Sequence, residues 1–437
     1  VKSGQKTANS FCLQFMQAVF LLYMLLAIPW IASSQEKQET IPDGTEGETL
    51  LVLDSTNVKK KPWYMLDTRF STIKFGMGIL LEYAAYNPNQ TMKTQLDLLN
   101  GEMKPTFDVR DFRLLVSGQL KTKRAISWKA AFMYDGSQDT SWYVRETGVM
   151  VATPEIWGHI FVGRTKEGIS LSKVMNGFSL PIMERHMAID AVPILADGIK
   201  WLGYLPKPGI VWNIGMYTDW LSKGQSFSTY KWQFVSRVAW LPIHSNEKST
   251  TLHIGGNFRI GQPVDNSIRL KSRPESNPAP IVIDTGTFSS NQSTIFGGEI
   301  YYSTGSWMFG SEYYWHSFNS SSTNNPVFNG GELLATYIFT GGKRPYTTVG
   351  GIYTFIPIEK SVFKGGLGEI EGVIRFSSLD LNDGVINGGK YWKITPMVNW
   401  YMSTNLRFEL AYGYGILDRY DLKGATNFFQ TRLQFMF

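Results

Sequence analysis

Taken in steps of two, the last nine residues separate by chemistry. Phe429, Thr431, Leu433, Phe435 and Phe437 share one face, and Gln430, Arg432, Gln434 and Met436 share the other. The preceding segments repeat the alternation: Leu406, Phe408, Leu410, Tyr412 and Tyr414 against Arg407, Glu409, Ala411 and Gly413, and Trp392, Ile394, Val398 and Trp400 against Lys393, Thr395, Met397 and Asn399. Period two is the signature of a strand with unlike faces. In a soluble sandwich the apolar face would meet a second sheet; in a membrane barrel it meets lipid and the polar face meets water. Pro396 falls on the apolar side and lacks a ladder donor, which predicts a bulge there.

The same period runs back through the chain, in Ile126–Asp135, Ile210–Tyr217, Lys231–Trp240, Leu252–Ile260 and Trp307–Trp315, with Gly, Asn, Ser, Asp and Pro clusters between. Counting such segments from Ile73 onward gives roughly 16, with Tyr346–Ile356 an ambiguous extra, and closed bacterial barrels require an even total. The predicted fold is all-β, a closed antiparallel transmembrane β-barrel of about 16 strands around a water-filled lumen. The stretch Arg164–Val192 is long, weakly periodic and charged, and is expected to leave the wall and fold inward. Pro263–Asn291 and Ser317–Asn329 read as external loops.

The amino-terminal end differs. Lys2 and Lys6 precede an apolar run from Phe15 to Ile28, and Ile31-Ala32-Ser33-Ser34 gives a small-residue exit, so residues 1–34 read as a secretory signal peptide. Residues 35–72 are polar and read as a tail or tether, which leaves 73–437 for the barrel.

Composition agrees with this order of events. Aromatic content of 14% and 42 glycines suit interfacial girdles and many tight turns. The net charge of +6 is too small and too dispersed for nucleic acid. Cys12, the sole cysteine, lies ahead of the apolar core of the leader and offers no disulfide, lipid anchor or thiol metal site. The five histidines are scattered without zinc-ligand spacing and no G-x-S-x-G elbow occurs. Hence no catalytic residue, metal or cofactor is assigned. A barrel hydrolase using His316 beside loop serines, or a soluble β-rich carbohydrate binder, are the competing classes.

With the polar face as lumen wall, the basic candidates on strands are Arg113, Lys129, Lys231, Arg237 and Arg259, and around the closure Arg375, Lys393, Arg407 and Arg432. Lys166 and Arg185 are the candidates for a narrow point on the inward segment. The strands from Ile295 to Phe339 carry mainly Glu, so a basic wall is expected to face an acidic one and to favour small anions along its own side. A non-selective pore is the alternative.

The chain ends in aromatics at every second position with Phe437 last, which resembles the signal read by the outer-membrane barrel assembly machinery. Further, Gly372–Gly384, Val398-Asn399-Trp400-Tyr401, Asn405-Leu406-Arg407-Phe408 and Gln430–Gln434, with Gly163–Gly168 and Met183-Glu184-Arg185, resemble the phosphate-selective porin O and P family of Gram-negative outer membranes. That resemblance implies a 16-stranded homotrimeric channel in outer-membrane lipid. It also implies an inward-folding loop near Lys166 and Arg185, and phosphate or polyphosphate as solute. Where family members carry adjacent arginines, this chain reads Val109-Arg110-Asp111-Phe112-Arg113, and Asp111 is expected to offset part of the anion attraction.

Overall fold

The structure is a computed structural model that describes residues 62–99, 101–135, 141–190, 192–220, 229–245 and 247–437. The period-two segments form a closed barrel of 16 antiparallel strands. In chain order these are β1 (Ser71–Pro88), β2 (Thr106–Leu120), β3 (Ile126–Asp135), β4 (in two pieces, Ser141–Val144 and Thr147–Thr153), β5 (Gly158–Thr165), β6 (Ala196–Leu205), β7 (Ile210–Thr218) and β8 (Tyr230–Ser245). They continue as β9 (Thr250–Pro263), β10 (Gln292–Thr304), β11 (Trp307–Asn319), β12 (Val327–Ile338), β13 (Glu369–Asp383), β14 (Ile386–Tyr401), β15 (Leu406–Arg419) and β16 (Leu422–Met436). Closure is made by β16 against β1, from Gly78↔Met436 to Pro88↔Thr426, so the sheet keeps no open edge.

Side-chain exposure follows the alternation. Along β13–β16 the apolar Ile374, Phe376, Ile394, Val398, Leu410 and Tyr412 are exposed, while Arg375, Lys393, Asn399, Arg407, Glu409 and Arg432 between them are buried. A greasy outside and a polar inside invert the soluble pattern and fit lipid outside. Outward aromatics pair on this wall: Trp307 with Tyr337 (ring centroids 4.5 Å apart) at one end, and Tyr313 with Trp315 (4.9 Å) farther along β11.

Three local expectations are corrected. Pro396 makes no bulge: it stays in register opposite Ile374, and toward β15 the pairing pauses after Ile394↔Tyr414 and resumes unshifted at Met397↔Ala411. The missing donor costs ladder bonds without displacing the chain. Register shifts occur instead between Leu80 and Leu81, opposite Asp111 and Val109, where Arg110 is the extra residue, and between Tyr230 and Trp232. The second of these turns Lys231 out, so it is exposed and does not join the buried inner face. Finally, residues 62–72 are not all tail. Met65–Asp67 pairs with Thr72–Lys74, and the Trp63 ring lies 5.4 Å from that of Phe437. Residues 1–61, which the sequence suggests as a leader and most of a tail, lie outside the described residues.

Because strands alternate in direction, every connection belongs to one of two ends. At the end shared by the start of β1 and the finish of β16, connections are short, such as 206–209, 305–306 and 402–405, with one exception, 339–368. At the far end, 166–195 and 264–291 are long. All three long segments turn into the lumen. Leu171, Val174, Met175, Leu180 and Met183 of the first pack in one buried cluster with Tyr346, Ile352 and Tyr353 of 339–368 and with wall residues such as Val211 and Met308. Leu270, Val282 and Phe288 of 264–291 pack in another with Ile169, Met187 and Phe428. The interior is therefore partly dry, where the sequence suggested an open water-filled cylinder and an external loop at 263–291. The ambiguous segment at Tyr346 is an internal hairpin, Tyr346–Thr347 against Ile352–Tyr353.

Candidate solute path through the lumen

The inward segment 166–195 is held by charge at both of its sides. Its short helix, Leu171–Val174, begins at Ser170, whose hydroxyl caps the amide of Lys173 at 3.0 Å. The amides of this turn point at inward carboxylates: Ser172 N–H donates to Glu312 Oε1 (2.8 Å) and Leu171 N–H to Glu299 Oε2 (3.1 Å). Ser170 Oγ, Tyr301 OH and Tyr314 OH also donate to Glu312 (2.5, 2.7 and 2.8 Å). Exposed peptide donors at a helix start attract anionic acceptors, which is the local reason for the acids on β10 and β11.

On the other side the polarity reverses. Carbonyls of residues 178–184 accept from the arc β13–β16 and from Arg344: Arg407 Nη1 to Leu180 O (2.7 Å), Asn399 Nδ2 to Pro181 O (2.7 Å), Gln434 Nε2 to Phe178 O (2.9 Å), Arg375 Nη1 to Glu184 O (2.6 Å) and Arg344 Nη1 to Ser179 O (2.6 Å). Arg432 donates to Met183 O and pairs with Glu184 and, at 2.6 Å, with Glu82. Phe178 reaches the wall because β1 carries Gly78 there: an added Cβ would lie 2.3 Å from the Phe178 ring.

Most of the anticipated arginines thus have acids beside them. Arg237 Nε lies 2.7 Å from Glu299, Arg259 Nε 2.7 Å from Glu167, Arg375 2.5 Å from Glu275 and Arg407 2.8 Å from Glu409. Arg113 Nε lies 2.8 Å from both oxygens of Asp111 and stacks over Phe178 at 4.7 Å, so the intervening carboxylate pairs with its neighbour. Lys393 donates to Pro274 O (2.9 Å) and Gln430 Oε1 (3.1 Å). The acid-bearing strands β10–β12 lie between the arginines of β8–β9 and those of β13–β16. They do not simply face a single basic wall.

Of the two residues expected at a narrow point, Lys166 Nζ and Arg185 Nη2 both donate to the carbonyl of Met175, at 2.8 and 2.9 Å, and Arg185 Nε to Ser172 O at 2.9 Å. Lys166 also lies 3.9 Å from Glu146, the buried acid at the break in β4.

Beside these packed segments lies a narrow cleft, with room of about 20 Å³ for water-sized occupants, lined by Lys129, Glu146, Thr165, Lys166, Val174, Lys200, Leu202, Val349, Gly350 and Ile352. Lys129 and Lys200 stand over the ring of Phe161 at 5.7 and 5.2 Å. Three ammonium groups meet one carboxylate here. Lys129 and Lys166 were among the sequence candidates; Lys200 was not. Its parity on β6, between outward Ile199 and Trp201, is the signal that could have found it. Arg185 and the paired arginines do not line this cleft, and Lys231 lies outside. His316 is buried on the inner face of β11.

In the loops, burial moves two titrating groups toward neutrality. Asp190 is pushed up to about 7 chiefly by desolvation, with Glu184 and Glu275 adding to the rise, although Ser272 Oγ donates to it at 2.6 Å. Lys173 is brought down to about 7 by desolvation, partly opposed by Glu167 at 4.0 Å.

Comparison with known proteins agrees with the barrel. The family model for phosphate-selective porin O and P matches residues 90–437. An uncharacterized protein of Caulobacter vibrioides is 29% identical over 181 residues, 40% of this chain and 35% of that protein, so the match spans about a third of that relative's length. Among solved structures, the anion-selective porin from Comamonas acidovorans superposes with a TM-score of 0.53 at 11% identity, covering 84% of this chain and 100% of that one. In-vitro folded OmpT, an outer membrane protein of Vibrio cholerae, gives 0.54 at 13% identity, with 85% and 99% covered. Salmonella typhi OmpF in complex with daunomycin gives 0.54 at 10% identity, with 85% and 100% covered. At such identities these likenesses speak for the fold. The family match covers most of the chain, from the first connection to the terminal phenylalanine, and the chain belongs to the phosphate-selective porin O and P family of outer-membrane porins.

Proposed function

We propose that small anions, phosphate among them, diffuse passively through this porin along the cleft between β3–β6 and the inserted segments. The observation that carries this reading is the cleft's lining, Lys129, Lys166 and Lys200 against the single acid Glu146. The arginines are largely compensated by neighbouring acids, so the net field along the route comes from these lysines, and a positive lining raises local anion concentration. A general porin of weak selectivity is the second reading, favoured by the extensive arginine–carboxylate pairing.

On the same reading residues 1–34 are a cleaved leader, Phe437 serves the assembly machinery, and the barrel works as a homotrimer with the end carrying β1's start toward the periplasm. The experiment is reversal potential in planar bilayers for the triple variant Lys129→Gln, Lys166→Gln, Lys200→Gln. The reading expects anion preference in the parent and its loss or inversion in the triple variant. An unchanged reversal potential would count against the cleft as the selective route.

A further inference from the structure

The hairpin at Tyr346–Thr347 and Ile352–Tyr353 enters the lumen from the end where every other connection is short. Its tip, Gly350 and Gly351, has φ of 75° and 64°, a left-handed pair that glycine adopts without strain. Arg237 on β8 grips both tip carbonyls, Nη1 to Gly350 O at 2.7 Å and Nη2 to Gly351 O at 2.8 Å, while its Nε lies 2.7 Å from Glu299 Oε1. The hairpin's stem is tied to the same carboxylate. Tyr346 OH lies 2.7 Å from His253 Nδ1, and His253 Nε2 lies 2.6 Å from Glu299 Oε1. The other oxygen, Oε2, accepts from Leu171 N–H of the far-end segment at 3.1 Å and from Asn257 Nδ2 at 3.1 Å.

One buried carboxylate therefore holds the tip and the stem of a segment inserted from one end, and the helix of a segment inserted from the other. The tip also forms part of the cleft, through Val349, Gly350 and Ile352, with Val174 of that helix on the same lining. We infer that the 346–353 hairpin is a gate on the cleft, that Arg237 and Glu299 are the positioning residues that latch it, and that Glu299 couples its seating to that of the Leu171–Val174 helix. The inference rests on the cleft being the route for solute, but not on the sign of its selectivity.

The experiment is single-channel recording of Arg237→Gln, Glu299→Gln and the double variant, with the heat-shifted electrophoretic mobility of each barrel as the check on folding. Each single substitution is expected to raise unitary conductance or add a larger open level, and the double variant to go no further than the larger single effect, since both undo one latch. Unchanged conductance in folded single variants, or effects that multiply in the double variant, would overturn the inference. Tyr346→Phe, which removes only the stem contact, gives a second cycle with Arg237→Gln should Glu299→Gln fail to assemble. As an independent readout, Val349→Cys is expected to react faster with a thiol reagent when either latch residue is changed, a response that general destabilisation of a folded barrel does not produce; equal rates would also overturn it. A parent without anion preference, with the conductance rise of the latch variants intact, would count against the lysine reading alone.

Discussion

Lys166 Nζ and Arg185 Nη2 meet on one oxygen, the carbonyl of Met175, at 2.8 and 2.9 Å. Both cations brace the inward segment, and only Lys166 also faces the cleft beside Glu146. Arg185→Gln should therefore disturb the segment while leaving reversal potential nearly unchanged. Lys166→Gln should move it toward cations. One unit charge at 4 Å in water amounts to about 1 kcal/mol, or roughly fivefold in local anion occupancy before salt screening. Reversal potentials of the two variants in the same salt gradient check this.

Arg407 joins the segment to the wall through Leu180 O at 2.7 Å and pairs with Glu409 at 2.8 Å. Arg407→Met leaves the Leu180 carbonyl buried without its donor and Glu409 without its counter-charge, at a cost on the order of 1.5–3 kcal/mol. The barrel wall is held by its own ladder and should persist. Limited proteolysis in detergent is expected to cut within 171–185 in the variant at enzyme concentrations that leave the parent intact.

Packing of the inward loops should depend on pH with two limbs. The folded value of Asp190, about 7, lies above the ordinary 3.8, so its contribution is fully present below the ordinary value and is lost as pH rises through about 7. Lys173 is depressed to about 7 from 10.5, so its contribution is present above 10.5 and lost as pH falls through about 7. Amide-exchange protection of the 166–195 segment is expected to be lowest near neutrality and to rise toward either side. Asp190→Asn should flatten the acid limb and Lys173→Met the alkaline one.

Val398 faces lipid and Met397 beside it faces the lumen. Val398→Lys places an ammonium against hydrocarbon, at a cost of about 2–4 kcal/mol if the residue sits near the midplane and less nearer the interfaces. Val398→Ser should cost less than Val398→Lys. Urea unfolding of barrels refolded into lipid vesicles measures the difference. Equal midpoints would contradict the assignment of this face to lipid.

The wall was legible in the sequence because a strand's face is set by its nearest neighbours in the chain, and period two shows in any ten residues. The alternation puts Arg375, Arg407 and Arg432 on the polar face, and their side chains are buried. Their partners were not legible, since Leu180 O and Met183 O approach from more than two hundred positions away. The inward turn of 166–195 left a trace in its charge and weak period. The hairpin at Tyr346 left none that distinguished it from an extra strand, its alternation being short and its partners, Arg237 and His253, distant in the chain. Lys231 misled because a register shift changes the face without changing the alternation of residue types. Lys200 is harder to read from the sequence, because the glycines at 198 and 203 blur the period of β6.

The most direct test of the lysine-lined route is the zero-current potential of the purified, unmodified protein across a planar bilayer with a tenfold gradient of potassium chloride, repeated with potassium phosphate. Potentials of the sign set by anion movement are expected in both salts. A potential set by potassium would contradict the lysine-lined route.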